Sequence, residues 1–231
     1  VTTARPGNLQ AQAGNTELKP FLSTNWDISL EYYYADTSYL AAAVFQKEVE
    51  DFIVATVQPE TQNLDSGAYE FNVRRPRNGE TANVDGIELA WLHTFENGFG
   101  IQANATIVNS DAELDRDDTS QVFALEGLGD SQNLTVFYEM DGFQARVAYN
   151  NREGFMQDVV SPLGGVEPRY TETYGQVDVS ASYDIDDTFT VFFEGINVTG
   201  EELRRHGRYE EQFVQLVDDG ARYAVGVRAT F

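Results

Sequence analysis

The sequence predicts an all-β protein, and within that class a transmembrane antiparallel β-barrel. Apolar and polar residues alternate with a period of two along nine segments, and the connections between these segments are alternately short and long. Aromatic residues, 13% of the chain, gather beside the short connections and favour strands over helices. Alternation alone also fits a half-buried sheet of a soluble protein, so the connections decide between the two.

Composition limits the architecture and the partners. The chain has 231 residues, enough for one large all-β unit or two small domains. No stretch approaches the roughly 18 consecutive apolar residues of a membrane helix, and the mean hydropathy is −0.39. There is no cysteine, which excludes disulfides and thiolate chemistry. The formal net charge of −23 argues against nucleic acid as a partner, because nucleic acid requires clustered Lys and Arg.

The first third of the chain predicts three strands. Residues 1–20 lack periodicity and are predicted as loop. The first strand, 26–34, alternates cleanly, and a turn at 35–38 leads to the second, 39–54, whose facing is ambiguous because Val44 and Phe45 are both apolar. Residues 58–81 are predicted as a long polar connection, part of which alternates and would extend as a strand. The third predicted strand is 84–95.

The middle and end of the chain predict six more strands. Asn97-Gly98 predicts a tight hairpin turn, because both residues tolerate positive φ. The predicted strands, in order, are 99–107, 134–138, 143–150, 177–183, 188–198 and 222–231. The connections predicted between them are the acidic loop 110–129, a turn at 140–142, the loop 157–168, a turn at 186–187 and the charged connection 201–211.

The predicted connections sort by length. Tight turns near Asp36, Asn97, Asp141 and Asp186 alternate with connections of about ten to twenty-five residues. Outer-membrane barrels have short periplasmic turns, long extracellular loops and an aromatic girdle at the rim, so this sorting favours a barrel over a soluble sandwich. Nine strands is an odd number, whereas single-chain bacterial barrels close with an even one. The sequence therefore predicts the C-terminal portion of a larger barrel.

Several motifs resemble the TonB-dependent outer-membrane receptor family, of proteobacterial type. They are GNTELKP at 14–20 with STNWD at 23–27, NVDGIEL at 83–89, the stretch 125–150, EGINVT at 194–199, and the terminal strand from GARY at 220–223 to Phe231. The motifs span nearly the whole chain in family order. In this family, a terminal strand with aromatic residues such as Tyr223 and Phe231 resembles the signal that the barrel assembly machinery reads.

The resemblance implies a fold and a function. It implies a 22-stranded barrel with a plug and a TonB box, in the outer membrane of a Gram-negative bacterium. Such a receptor imports a scarce nutrient, here of the saccharide or ferric siderophore class, with energy from the TonB–ExbB–ExbD complex. Residues 1–231 would be about nine C-terminal strands, with plug and TonB box absent from this chain. Implied partners also include outer-membrane lipid and lipopolysaccharide; no cofactor, metal or catalytic residue is implied.

Ligand-binding candidates lie in the predicted extracellular loops. Guanidinium groups bind anionic ligands or lipopolysaccharide phosphates, and aromatic rings stack on sugars. The candidates are Arg74, Arg75, Arg77, Tyr170, Arg204, Arg205, Arg208 and Tyr209. The alternative for each is ordinary loop charge balance or packing.

Other site chemistry finds little support in the sequence. His93 and His206 are the only histidines, and their spacing fits no zinc motif. Acidic residues alternate over 111–118 as in a calcium loop, but the glycine and glutamate that an EF-hand requires are missing, so a solvated acidic loop is the commoner explanation. The rival hypotheses for the whole chain are a soluble secreted carbohydrate-binding β-sandwich and a small structural or adhesive outer-membrane barrel.

Overall fold

The computed structural model describes residues 3–5, 9–65, 67–118, 123–159 and 167–230. These residues form seventeen strands in three sheets. The strands are β1 Thr3–Arg5, β2 Gln10–Gln12, β3 Leu22–Ala35, β4 Ser38–Glu50, β5 Ile53–Leu64, β6 Gly67–Asn78, β7 Ala82–Thr94, β8 Phe99–Ser110, β9 Ser131–Met140, β10 Phe143–Arg152, β11 Phe155–Asp158, β12 Arg169–Thr171, β13 Tyr174–Asp184, β14 Phe189–Ile196, β15 Leu203–His206, β16 Phe213–Val217 and β17 Arg222–Ala229. Within the described ranges, no helix has the length and apolar character needed to cross a membrane.

The largest sheet, which we call the membrane sheet, has nine antiparallel strands in the order β17-β14-β13-β10-β9-β8-β7-β4-β3. Each strand hydrogen-bonds to its nearest membrane-sheet neighbour along the chain. These are the nine strands that alternation predicts, and they confirm the all-β antiparallel architecture. Phe231, the last residue of the ninth predicted strand, lies outside the described residues.

The register of the membrane sheet separates an apolar face from a polar one. Ile28 is paired with Val44, Val44 with Ile87, and Ile87 with Ile107, which makes a continuous apolar row across four strands. The neighbouring row is polar or small, with Ser29, Ala43, Glu88 and Thr106 in register. Because side chains alternate along a strand, this register places Val44 on the apolar face and Phe45 on the polar face. The register therefore shows which side chains of the second predicted strand lie on the apolar face.

Aromatic rings on the polar face lie over glycines of the neighbouring strand. The pairs are Phe45 over Gly86, Phe137 over Gly100, and Phe192 over Gly226. A Cβ atom added to Gly86 would lie 2.5 Å from the Phe45 ring and 2.5 Å from the Ile107 carbonyl oxygen. The glycines thus make room for large rings on the concave side of the sheet, an arrangement that helps to fix register.

A first small sheet rises from the long-connection end of β4 and β7. Its order is β1-β2-β6-β5, with β2 parallel to β6. The predicted loop 1–20 is therefore wrong where β1 and β2 form. The predicted strand 39–54 is in fact two strands, because Asp51 adopts a φ of 54° and turns the chain between β4 and β5. Most of the predicted connection 58–81 is strand, in the β5–β6 hairpin.

A second small sheet forms within the later long connections. Its order is β11-β12-β15-β16. The predicted loop 157–168 is wrong at its start, where β11 extends to Asp158, and the predicted connection 201–211 contains β15. The strands of this sheet form hydrogen bonds with segments that are distant in the sequence; Tyr170 of β12, for example, pairs with His206 of β15. Each of these strands is too short for its own alternation of apolar and polar residues to predict the pairing.

Both small sheets and the segments 111–118 and 123–130 pack together into what we call the loop layer. Three apolar clusters hold it. One surrounds Phe71 and Val73, which are fully buried. A second packs Ala55 and Val57 of β5 against Met156 of β11, and so joins the two small sheets. The loop layer therefore has cores of its own.

Candidate functional site

A cavity of about 600 Å³ opens between the second small sheet and the segments 111–118 and 123–130. Strands β8, β11, β12 and β15 each contribute side chains to its wall. The charged and aromatic residues that line it are Glu113, Arg116, Phe155, Tyr170, Glu172, Arg204, His206 and Glu210. Two of the predicted ligand-binding residues, Tyr170 and Arg204, are among them.

Tyr170 is the centre of the aromatic part of the cavity. Its ring stacks on the His206 imidazole with centroids 5.3 Å apart and planes at 12°. The Arg116 guanidinium lies 4.6 Å from the centroid of the same ring. A cation over a tyrosine face is attracted by the ring quadrupole, and the guanidinium of Arg116 has no hydrogen-bond partner among the described residues. Arg116 is exposed, so its donors are available to a ligand.

His206 is buried but keeps one nitrogen for the cavity. Only 5% of its surface is exposed. Its Nδ1 lies 2.8 Å from the carbonyl oxygen of Gly207. A carbonyl only accepts hydrogen bonds, so Nδ1 carries a proton and, in the neutral ring, Nε2 is an acceptor. Nε2 has no hydrogen-bond partner within the described part of the chain, and the residue lines the cavity.

Arg204 forms the polar side of the cavity. Its guanidinium donates to a Glu172 carboxylate oxygen at 2.9 Å and to the Glu210 carbonyl at 3.4 Å. The pair is partly exposed, so its attraction is moderated by solvent. A ligand carboxylate would compete with Glu172 for Arg204.

The arginines of β6 lie outside this cavity. Arg75 donates to both carboxylate oxygens of Glu60, at 3.1 and 2.9 Å, and to the Gly14 carbonyl. Arg74 and Arg77 flank it on the same strand and are half-buried. Because the carboxylate is held by a bidentate guanidinium, the pKa of Glu60 is lowered and that of Arg75 is raised.

The remaining predicted residues lie close to the cavity but face other partners. Arg205 donates to the Gln215 side chain on β16. Arg208 is 3% exposed, donates to the Arg116 carbonyl at 2.7 Å, and lies 3.7 Å from Glu167. Tyr209 is exposed, and its hydroxyl lies 3.4 Å from an Asp117 carboxylate oxygen. Arg208 thus fixes the segment that carries Arg116. A ligand-binding role for all three residues stays a prediction.

Residues 2–198 match the protein family described as TonB dependent receptor-like, beta-barrel. The chain belongs to this TonB-dependent receptor family. The match covers eight of the nine strands of the membrane sheet. Membership places the chain among outer-membrane β-barrels, and the family is one of transport receptors. No curated protein matches the chain.

Solved structures of receptors share the fold of this TonB-dependent receptor chain. The siderophore receptor PirA from Acinetobacter baumannii is 15% identical, with a TM-score of 0.66 over 95% of this chain and 33% of that one. A mutant ferric enterobactin receptor, PfeA, from Pseudomonas aeruginosa in complex with enterobactin is 14% identical, with a TM-score of 0.68 over 95% and 33%. The FrpB iron transporter from Neisseria meningitidis is 16% identical, with a TM-score of 0.63 over 95% and 33%. The chain spans about a third of the length of these structures.

Several residues of the receptor cavity could not be predicted from the sequence. Arg116 lies in a run of acidic residues, which gives no sign that it lines a cavity, and Glu172 stands in no motif. His206 carried one signal, since it is one of only two histidines.

The acidic run 111–118 does not gather its carboxylates around one point. Asp111 accepts two hydrogen bonds from Asn83 at 2.7 Å, which lower the pKa of its carboxyl group. Asp115 accepts from the Asp117 backbone. Within the described ranges, no three His, Cys, Asp or Glu side chains are grouped as metal ligands.

Proposed function

We propose that this chain forms the ligand-capturing and membrane-spanning part of a receptor that imports a scarce nutrient across the outer membrane. The observation that carries the proposal is the cavity in the loop layer, where Arg116 and His206 both contact the Tyr170 ring. Above a barrel, such a cavity faces the cell exterior, because the long loops of outer-membrane barrels are extracellular.

The first ligand class that we propose is a ferric siderophore. Anionic groups on an aromatic or planar chelator would meet the free guanidinium of Arg116, and the chelator ring would pack on Tyr170. Arg204 would supply a second cation once its Glu172 partner is displaced. The names of the siderophore and enterobactin receptors that share the fold agree with this class.

A saccharide is the second candidate, and a different observation favours it. Three carboxylates line the cavity, at Glu113, Glu172 and Glu210. Carboxylates accept hydrogen bonds from sugar hydroxyls, and a tyrosine ring packs on the apolar face of a sugar. A neutral sugar would leave the Arg204–Glu172 pair intact, whereas an anionic chelate would not.

We infer the roles of the predicted ligand-binding residues outside the cavity from where they lie in the loop layer. Arg74 and Arg77 would contact lipopolysaccharide phosphates or guide an anionic ligand, because Arg75 between them is held by Glu60. Arg208 and Tyr209 would support the segment that carries Arg116, and Arg205 would hold β15 to β16.

Energy coupling and assembly complete the proposal. These 231 residues would supply the C-terminal part of the barrel. The TonB–ExbB–ExbD complex would act through a plug and a TonB box that lie outside them. Tyr223, on the apolar face of β17, and Phe231 would be read by the barrel assembly machinery.

Binding to the protein purified from outer membranes tests the proposed ligand classes. We would titrate it with a ferric catecholate, a ferric hydroxamate and neutral oligosaccharides, and follow affinity by calorimetry. Tyr170→Ala should weaken binding of the true ligand by about tenfold, because a well-packed ring contact is worth about 1.5 kcal/mol. Tyr170→Phe, which keeps the ring, is the matched control. If Tyr170→Ala and Tyr170→Phe bind as the parent does, the cavity is not the binding site.

A further inference from the structure

A second aromatic cluster lies at the opposite end of the membrane sheet, beside the short turns. It contains Tyr34 of β3 and Trp91 and His93 of β7, which we call the rim triad. The register of β3 and β4 shifts between Tyr33 and Ala35. A bulge re-aims the side chain at the irregular position. Tyr34 thus reaches past β4 to contact β7.

A chain of hydrogen bonds connects the three residues of the rim triad, from Trp91 through Tyr34 to His93. The Trp91 Nε1–H donates to the Tyr34 hydroxyl oxygen at 2.9 Å. The Tyr34 hydroxyl lies 3.0 Å from His93 Nδ1 and 3.4 Å from the Leu92 carbonyl. We assign the single Tyr34 proton to the shorter contact, with Nδ1, and this assignment leaves the His93 proton on Nε2. Nε2–H has no hydrogen-bond partner among the residues that the structure describes.

The rim triad faces lipid. Trp91 and His93 continue the apolar face of β7 that Ile87 and Leu89 begin, because they are spaced by two residues. Short turns of outer-membrane barrels are periplasmic, so this end of the sheet meets the periplasmic leaflet. At headgroup level, a lipid phosphate is a strong acceptor for an N–H group on this face.

Exposed carboxylates lie in the two short turns next to the rim triad. Asp36 lies in the β3–β4 turn, and Glu96 lies in the β7–β8 turn; both are exposed. The hydroxyls of Thr37 and Thr94 are in contact, so the two turns are neighbours. Two carboxylates repel a headgroup with a net negative charge and attract an ammonium group.

We propose that the rim triad is a binding site for one zwitterionic phospholipid with a primary ammonium headgroup, of the phosphatidylethanolamine type. His93 Nε2–H donates to the lipid phosphate, Tyr34 and Trp91 fix the proton on that nitrogen, and Asp36 and Glu96 attract the ammonium group. This site lies at the far end of the membrane sheet from the cavity, and its test does not depend on the nutrient ligand.

Solid-state NMR tests the contact directly. We would label histidine with ¹⁵N in the full receptor purified from outer membranes, and assign to His93 the signals that disappear in the His93→Gln variant. The protein is reconstituted in bilayers of phosphatidylethanolamine, and dipolar dephasing of ¹⁵N by ³¹P is measured. A hydrogen-bonded phosphate places phosphorus about 4 Å from the nitrogen, so Nε2 should dephase strongly and Nδ1 weakly. Absence of Nε2 dephasing would overturn the proposal.

Two matched variants separate a built site from ordinary lipid contact. Tyr34→Phe removes the hydroxyl and keeps the ring, which should shift the tautomer ratio by about fivefold and reduce Nε2 dephasing. Tyr33→Phe is the control, because the Tyr33 hydroxyl donates to Glu31 on the other face. Equal dephasing in both variants would refute the role of Tyr34. Equal dephasing in phosphatidylglycerol bilayers would refute the proposed headgroup.

Discussion

The membrane sheet and the loop layer use the same residue types in opposite ways. In the membrane sheet, the large apolar side chains are exposed, with Val225 at 84% and Ile28 at 73%. In the loop layer, Phe71 and Val73 alternate along β6 in the same manner but are fully buried. Among the described residues, the buried apolar side chains belong to the loop layer or to the strand ends that enter it.

The difference shows that each region is adapted to its solvent. The membrane sheet faces lipid on its apolar face and keeps polar residues on its concave face, as barrel strands do. The loop layer faces water and must bury its apolar side chains against its own strands. Ion pairs follow the same division, because the five found among the described residues lie in the small sheets or in the connections that lead to them.

The substitution Phe71→Ala in the loop layer should cause the largest loss of stability. The side chain is fully buried against Ala11, Ala13 and Val73, so its removal leaves a cavity and should cost about 3–5 kcal/mol of local stability. Hydrogen exchange should accelerate in β2, β5 and β6 and stay unchanged in β13 and β14. Phe21→Ala, at a position 60% exposed, is the control. Uniform acceleration across both regions would mean that they unfold as one unit.

Val179→Arg should have the next largest effect, in the membrane sheet. Val179 pairs with Val147 and Gly195 on the apolar face, so an arginine there would enter lipid at a cost of about 2–4 kcal/mol near the midplane. Ser180→Arg, one residue along, should be tolerated, because Ser180 lies on the concave face with Arg146 and Glu194. Folded yield in the outer membrane measures both. Similar losses for the two variants would contradict the assigned faces.

The same division explains what the sequence could predict. Period-two alternation is a local signal, and it predicts the membrane sheet because each of its strands pairs with its nearest membrane-sheet neighbour along the chain. The loop layer depends on long-range pairing, such as the parallel contact of β2 with β6 across about sixty residues. No local pattern in 1–20 or 201–211 indicates that pairing.

The cavity was predictable only in part for the same reason. Tyr170 and Arg204 are aromatic and cationic residues in long loops, which is a compositional signal. His206 meets Tyr170 through the long-range pairing of β12 with β15, and Arg116 meets the same ring through the packing of residues 111–118 on the second small sheet. That packing rests on apolar contacts such as Leu114 with Met156, which alternation does not indicate.

The smallest expected effect is an acid-induced loosening confined to the β5–β6 hairpin. Arg75 lowers the pKa of Glu60 in the folded hairpin, so below the ordinary Glu pKa of about 4.3 the unfolded hairpin binds more protons than the folded one. The stabilisation is therefore present above that pH and is lost as pH falls through the lowered value. Hydrogen exchange of residues 53–78, corrected for the intrinsic rate at each pH, should show faster opening in acid. Arg75→Gln should remove this pH dependence while β13 and β14 keep theirs; an unchanged dependence would exclude the pair as its origin.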